Sequence, residues 1–308
     1  MCICASLGTL PFSMPKPQTV VRRLGAGVLA LALLWLAYRL LVLQPSNERD
    51  WEYGMQTLPH ITIDGDLVHV QHVRDFRWSA NAPRSSDYVD RSFGVQRLER
   101  VWFVEEPFAM APFYGFEGVA HTYFVFDFQD QSPVAISVES RRERGEGYDS
   151  IHGLFNEYEL IYIWGTEQDL TGQRAVLEKN QLYMYPLVGS MDSARKLFLD
   201  LAEVSQQLET QPRFYNTLTS NCTNELAKVA NRAQPGSVPP HIALIFPGYA
   251  AGLLYDLGFI PNDAPLENVR QRYSITDAVA ATVDEPDFSK LLRLRLQVPE
   301  GEGRPGGA

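Results

Sequence analysis

The chain has 308 residues, 45% of them hydrophobic and 21% charged, with a formal net charge of −10; these proportions exclude collagen-like, coiled-coil and wholly disordered classes and leave room for one large domain or two small ones. Residues 1–43 contain four basic side chains (Lys16, Arg22, Arg23, Arg39) and no acid, so the remainder is strongly acidic. A nucleic-acid backbone is thereby excluded as partner.

The run from Leu24 to Leu43 is, as a helix, about one hydrocarbon thickness long. Arg39 lies near its far end, where it can snorkel. The basic flank before the run and the mixed, partly acidic flank after it (Glu48, Asp50, Glu52) predict one transmembrane helix, with the N-terminus in the cytoplasm and everything beyond Pro45 outside. A cleaved signal peptide is the competing reading, but the run is longer than an h-region and no small-x-small site follows it. The expected layout is a cytoplasmic N-terminus over 1–23, an anchor over 24–43, a tether over 44–60 carrying a Trp51/Tyr53 interfacial pair, one extracytoplasmic domain over 61–297 and a disordered tail over 298–308. Met14 begins a more conventional anchored protein, so residues 1–13, with Cys2 and Cys4, are expected to precede the true start. Cys222 is then the only cysteine outside the membrane and has no intramolecular disulfide partner in an oxidising compartment.

Beyond the tether the pattern becomes that of strands. Ile61–Val70 alternates around an Asp64–Gly65 turn, a hairpin signal. His69 and His72 stand three apart, which on a strand points them to opposite faces and argues against a metal site; no metal or other cofactor is expected. Ser79–Ser92 reads as a polar loop and Val95–Val104 as a further strand. Pro107–Gly118 is apolar, aromatic and rich in breakers; Phe113, Tyr114 and Phe116 are candidate substrate contacts if it lines a groove and core residues if it tucks inward.

Val119–Phe128 is a strand by composition, with Thr122, Phe124, Phe126 and Phe128 on one face and His121, Tyr123, Val125 and Asp127 on the other. Pro133–Glu139 returns antiparallel. With the turn near residue 130, partner numbers sum to about 260, which sets Glu139 or Ser140 opposite His121, close enough for a carboxylate to hold the tautomer of an imidazole. Arg141 and Arg142, in the charged run after it, are candidates to hold a phosphate or carboxylate, although a solvated hairpin end explains the run equally well. Leu154–Trp164 reads as a helical turn entering a strand, Gln181–Val188 as a strand, and Ser190 or Asp192 as the cap of a helix running to about Glu209. The Thr, Ser and Asn cluster before Cys222 predicts a helix beginning within a residue or two of the thiol, where first-turn N–H groups and the helix dipole favour thiolate. His241–Ile260 reads as a buried helix pair, Leu266–Val283 as one or two helices, and Leu291–Leu296 as a terminal strand.

Cys222 at a helix start, His121 on one strand and Glu139 on the next supply nucleophile, base and orienting carboxylate, the requirements of acyl transfer through a thioester. The backbone N–H of Cys222, helped by Asn221, Ser220 and Tyr123, would support the oxyanion and the ring. His121-Thr-Tyr-Phe-Val-Phe-Asp-Phe, Ile136-Ser-Val-Glu-Ser-Arg-Arg-Glu, Leu154-Phe-Asn-Glu-Tyr-Glu and above all Phe214-Tyr-Asn-Thr-Leu-Thr-Ser-Asn-Cys-Thr resemble the Lnb N-terminal periplasmic domain family over roughly residues 60–280. The Asn-Cys pair is also similar to that of lecithin:retinol acyltransferase-like enzymes, with Thr223-Asn224 in place of Glu-His. The resemblance implies an α+β, circularly permuted papain-like domain with a central antiparallel sheet and packed helices, linked to N-acylation of bacterial lipoproteins. Members that carry this activity continue into a membrane portion, whereas the anchor here lies in front. Three functions are open at this point: a thiol acyltransferase taking an acyl chain from membrane lipid and passing it to an amine such as a lipoprotein N-terminus, a cysteine peptidase or amidase acting on envelope peptides, and a non-catalytic envelope module with Cys222 in its core. Oligomeric state is not legible.

Overall fold

The computed structural model describes residues 17–108, 117–129 and 131–296. The chain divides into two units, Met1–Gln44 and Pro45–Ala308. In the first, helix α1 (Pro17–Ala37) passes into a π-helical turn at Tyr38–Val42. Its apolar side chains, Leu24, Val28, Leu31 and Leu34 among them, are exposed. No helix among the described residues is long and apolar enough to cross a membrane. The apolar run is α-helical only from Leu24 to Ala37, about 21 Å at the usual rise and short of the hydrocarbon thickness of about 30 Å, so the expected transmembrane helix is not supported.

The second unit is α+β and is built on an eight-stranded sheet: β1 (His60–Asp64), β2 (Leu67–Trp78), β3 (Pro83–Gly94), β4 (Leu98–Pro107), β5 (Ala120–Phe128), β6 (Gln131–Arg141), β7 (Glu159–Thr166) and β8 (Tyr183–Pro186). The spatial order is β1-β2-β7-β6-β5-β4-β8 with β3 on β2, and every pairing is antiparallel except the short β2–β7 contact. The β1–β2 hairpin turns at Asp64 as read from the sequence, and β5 pairs β6 with Tyr123 opposite Ser137, the expected register.

Alternation along β5 sets the two faces of the sheet. On one lie α3 (Met191–Thr210) and α4 (Cys222–Ala233), whose contact centres on Phe198: its ring is 5.1 Å from both Phe126 and Phe128 and 5.4 Å from Trp164. Ser190 caps α3 through Ser193 N–H. On the other, Tyr123 and Asp127 meet arginines carried by the π-helical turn Gln173–Leu177, which follows α2 (Glu167–Gly172), and by α8 (Phe288–Leu296). Three shorter helices, α5 (Ala250–Asp256), α6 (Leu266–Arg272) and α7 (Thr276–Thr282), complete the described chain.

Several expectations change. Residues 79–92, read as loop, supply most of β3, because polar side chains are tolerated on a strand whose outer face is exposed. The expected terminal strand is helix α8, whose period places Phe288, Leu292 and Leu296 inward. Residues 45–59 are no tether: Trp51 and Met55 are buried, and Arg141, only 2% exposed, spends its guanidinium on Met55 O, Asn47 Oδ1 and Gln56 O at 2.9–3.0 Å while lying 4.1 Å over the Trp51 ring. Arg141 is therefore a clamp on this segment and is not available to a substrate. Phe113, Tyr114 and Phe116 lie outside the described residues, as does the expected tail. The rim of that loop is fixed at Gly118, whose carbonyl accepts from Gly248 N–H at 3.1 Å; a Cβ at Gly248 would collide with the Glu117 carbonyl, so only glycine fits the turn at Pro247–Tyr249.

The β2–β3 hairpin is tied to α2 by buried Asp169, which accepts from Arg74 Nε and Nη2, Trp78 Nε1 and Phe76 N–H at 2.8–3.0 Å. Asp169→Ala strands that guanidinium and is expected to cost about 3–5 kcal/mol, read as a lower urea midpoint at unchanged slope; an unshifted midpoint would remove Asp169 from this role.

Candidate active site

α4 begins where its sequence says it should. Asn221 is the N-cap: its Oδ1 accepts from Asn224 N–H at 2.8 Å and its carbonyl from Glu225 N–H. Its amide nitrogen donates to Thr217 O and Leu244 O, both at 2.8 Å. Each polar atom of the side chain is thus occupied, so Asn221 has no N–H to offer an oxyanion and the expectation that it would is corrected. Ser220 is likewise engaged, donating to Glu225 Oε1 at 2.6 Å. The first-turn donors left by the cap are the N–H groups of Cys222 and Thr223.

The ladder between β5 and β6 ends at Tyr123–Ser137, two residues short of His121. The imidazole therefore stands at the open end of the pairing, where α4 packs on both strands. His121 Nε2 contacts Ser137 Oγ at 2.7 Å and Glu139 Oε1 at 3.2 Å, and Ser137 donates to the same carboxylate oxygen at 2.7 Å. Nδ1 is thereby the ring nitrogen left for the Cys222 sulfur, which is near enough for thiol and imidazole to shift each other's charge. Tyr123, fully buried, lies 6.0 Å from the His121 ring at 24°, supporting its plane from behind.

The charges follow from this geometry. Burial pulls the His121 imidazole down, but the Glu139 carboxylate and the Cys222 thiolate outweigh it and push it up to about 10. Burial raises the Cys222 thiol, and the His121 charge, its hydrogen bond and the Thr122 N–H more than offset that, leaving the thiol below its ordinary value of 9.0. Glu139 is held well below the usual carboxylate range: burial opposes ionisation, and His121 and Arg174 prevail. The arrangement favours ionisation of the thiol beside a charged imidazole.

Arg174 had no signal in the sequence. It bridges Glu139 Oε1 at 2.5 Å and Glu106 Oε2 at 2.9 Å, with its guanidinium 4.8 Å from the Tyr123 ring. Glu106 is the β4 partner of His121, so Glu106, His121 and Glu139 occupy one row across three strands. Ser137 was also missed, although alternation alone puts it on the face of Glu139. His69 and His72 turn instead to Ser92 Oγ and Leu58 O, and among the described residues no cluster of His, Cys, Asp and Glu could hold a metal ion.

Cys222 is 5% exposed, yet it borders a groove of about 640 Å³ shared with His121 and Glu139. Its lining is mixed: Glu106, Arg142, Arg174 and Asn180 are charged or polar, and Phe108, Ile245, Phe246 and Pro247 are apolar. The hydroxyls of Tyr148 and Tyr215, 3.2 Å apart, also line it and feel the Cys222 charge. A buried core thiol with no approach path, as the non-catalytic reading requires, does not describe this cysteine.

The sign of the pH response follows. Thiolate forms as pH rises through the lowered Cys222 value, and the imidazolium persists to about 10. Iodoacetamide alkylation of Cys222 is expected to rise with a midpoint below 9.0 in the wild type. In His121→Gln the cation is gone while burial and Glu139 still oppose ionisation, so the midpoint moves upward from that of the wild type. Equal midpoints in the two proteins would refute the pairing.

No curated protein and no solved structure matches the chain. A family model, the Lnb N-terminal periplasmic domain, matches residues 84–246, just over half of the sequence and the whole span from β3 through α4, including His121, Glu139 and Cys222. The chain belongs to the Lnb N-terminal periplasmic domain family.

Proposed function

We propose that this protein is a periplasmic thiol acyltransferase in which Cys222 is acylated and then passes the acyl chain to an amine, such as the N-terminus of a lipoprotein. The observation that carries the proposal is the convergence of Cys222 and His121 on one groove, with Glu139 holding the ring from the far nitrogen. The order His, Glu, Cys, with the cysteine on a helix that follows the sheet strands, agrees with a circularly permuted papain-like arrangement.

The thiolate attacks the carbonyl carbon of a lipid ester. A C–S bond forms, and the N–H groups of Cys222 and Thr223 face the developing oxyanion. As the ester C–O bond breaks, His121 Nδ1–H gives its proton to the departing alkoxide. The incoming amine then attacks the thioester, the neutral imidazole takes its proton, and the C–S bond breaks to restore the thiolate. Glu139 and Ser137 hold the ring through Nε2 in both half-reactions. Arg142, in the groove lining, is placed to meet an anionic headgroup. In this reading the exposed apolar side chains of α1 attach the protein to the cytoplasmic membrane.

The charged side chains lining the groove favour a second reading, a cysteine hydrolase of envelope peptides that uses the same residues with water as acceptor.

Intact-mass analysis after incubation with phospholipid vesicles separates the two. The expected result is a hydroxylamine-labile acyl adduct on Cys222, absent in Cys222→Ser and formed roughly 10²–10⁴-fold more slowly in His121→Ala. Labelling of Cys222 by a peptide-based thiol trap with no adduct from lipid would replace the transferase by the hydrolase.

A further inference from the structure

On the opposite side of the α4 start from the groove lies a second cavity, of about 130 Å³. Groove and cavity adjoin at three places along the chain: His121 and Cys222 line the groove while their neighbours Thr122 and Thr223 line the cavity, and Leu244 lines the cavity while Ile245 lines the groove. The partition is the Thr122–Thr223 hydroxyl pair, bonded at 3.0 Å. From there the cavity follows α4 between Phe103 and Phe124 of the sheet and Ala227 and Ala230 of the helix, and it reaches the surface at exposed Ser190 and Gln234, a run of about 16 Å at the helical rise.

The lining leaves little for a polar ligand to bind. The Thr122 and Thr223 hydroxyls satisfy each other, Ser190 donates to Ser193 at 2.8 Å, Ser193 to Gln234 Oε1 at 3.1 Å, and Ser237 to Asn231 Oδ1 at 3.3 Å. The other walls are aliphatic and aromatic. A void of this kind lowers stability when it is empty, and its volume is close to the ~150 Å³ of an engineered apolar cavity that stays dry and takes up benzene. The groove, by contrast, is lined by Glu106, Glu139, Arg142 and Arg174.

We propose that this cavity is the acyl-chain site, holding a linear aliphatic segment while the carbonyl lies at Cys222. The inference rests on the acyl-transfer reading and adds where the chain goes: past Thr223 and Leu244, out of the groove that holds the charged side chains, with its far end toward Ser190. The cavity has room for about six carbons, and a chain reaches it from Cys222 once the Thr122–Thr223 hydroxyl pair parts. Recognition is by apolar area alone, so the site selects chain length and is indifferent to the headgroup that leaves.

Two measurements on the full-length protein in detergent test it. The first compares acylation of Cys222 by p-nitrophenyl acetate and p-nitrophenyl dodecanoate, followed by intact mass. Ala230→Phe fills the cavity and is expected to lower the dodecanoyl-to-acetyl selectivity by about tenfold or more, the worth of two buried methylenes; an unchanged ratio in a folded variant overturns the proposal. The second does not depend on that variant. Dodecanoic acid carrying a terminal diazirine is photolysed with Cys222→Ser, and the modified peptides are mapped. Cross-links within 223–238 or 250–259 support the cavity, and cross-links confined to groove peptides, such as 118–121 or 142–150, overturn it. Cavity cross-links in a protein whose Cys222 is acylated by neither ester would retain the chain site and discard the transferase.

Discussion

The site depends on one buried guanidinium. Strands β4, β5 and β6 bring Glu106, His121 and Glu139 to a common level, and two carboxylates so placed, away from water, cannot both ionise without a compensating cation. Arg174 supplies it, at 2.5 Å from Glu139 and 2.9 Å from Glu106. The division is unequal. Glu139, closer to Arg174 and bonded to Ser137 as well as His121, is held well below the carboxylate range. Glu106, further from Arg174 and beside Glu178, is pushed up to about 7 by burial. The asymmetry gives the imidazole one firmly charged carboxylate. The same guanidinium packs on Tyr123, the ring behind His121, so one side chain governs both the charge and the plane of the base.

The nucleophile is set by a different device. A buried thiol resists ionisation, and the first turn of a helix favours it, but neither effect alone decides the outcome at Cys222. The His121 charge and the Thr122 N–H tip the balance, and both are delivered by β5. Asn221, with all its polar atoms committed to the cap, fixes α4 and the Leu244 carbonyl in place. It does for position what Arg174 does for charge. With the start of α4 pinned at both Thr217 and Leu244, sulfur and imidazole meet at the end of the β5–β6 ladder, and the aliphatic cavity opens directly behind them.

This frame also explains the fate of the arginines near the site. Arg141 and Arg142 are neighbours, but strand alternation sends them to opposite sides. Arg141 is buried against Trp51 and the carbonyls of residues 55 and 56, whereas Arg142 lines the groove. Composition marks both as anion-binding candidates and cannot separate them, since the segment that covers Arg141 lies about ninety residues earlier in the chain.

What the chain reveals without coordinates is whatever short-range chemistry determines. The period-two pattern of residues 119–139 defined the β5–β6 hairpin and put His121 and Glu139 on adjacent strands. The Ser220-Asn221 cap ahead of an apolar period placed Cys222 at a helix start, and Ser190 did the same for α3. These features depend on neighbours within a few residues, which is why they are legible. Tertiary structure alone decided the rest: that Arg174 lies between two carboxylates 35 and 68 positions away in sequence, that Ser137 joins the histidine to Glu139, that Asn221 is spent on capping, that residues 45–59 fold back onto β6, and that an aliphatic cavity lies behind the nucleophile. Each of these arises from burial, which forces buried charges and hydrogen-bond donors to find partners wherever the packed chain happens to bring them, and periodicity along the sequence carries no record of that choice.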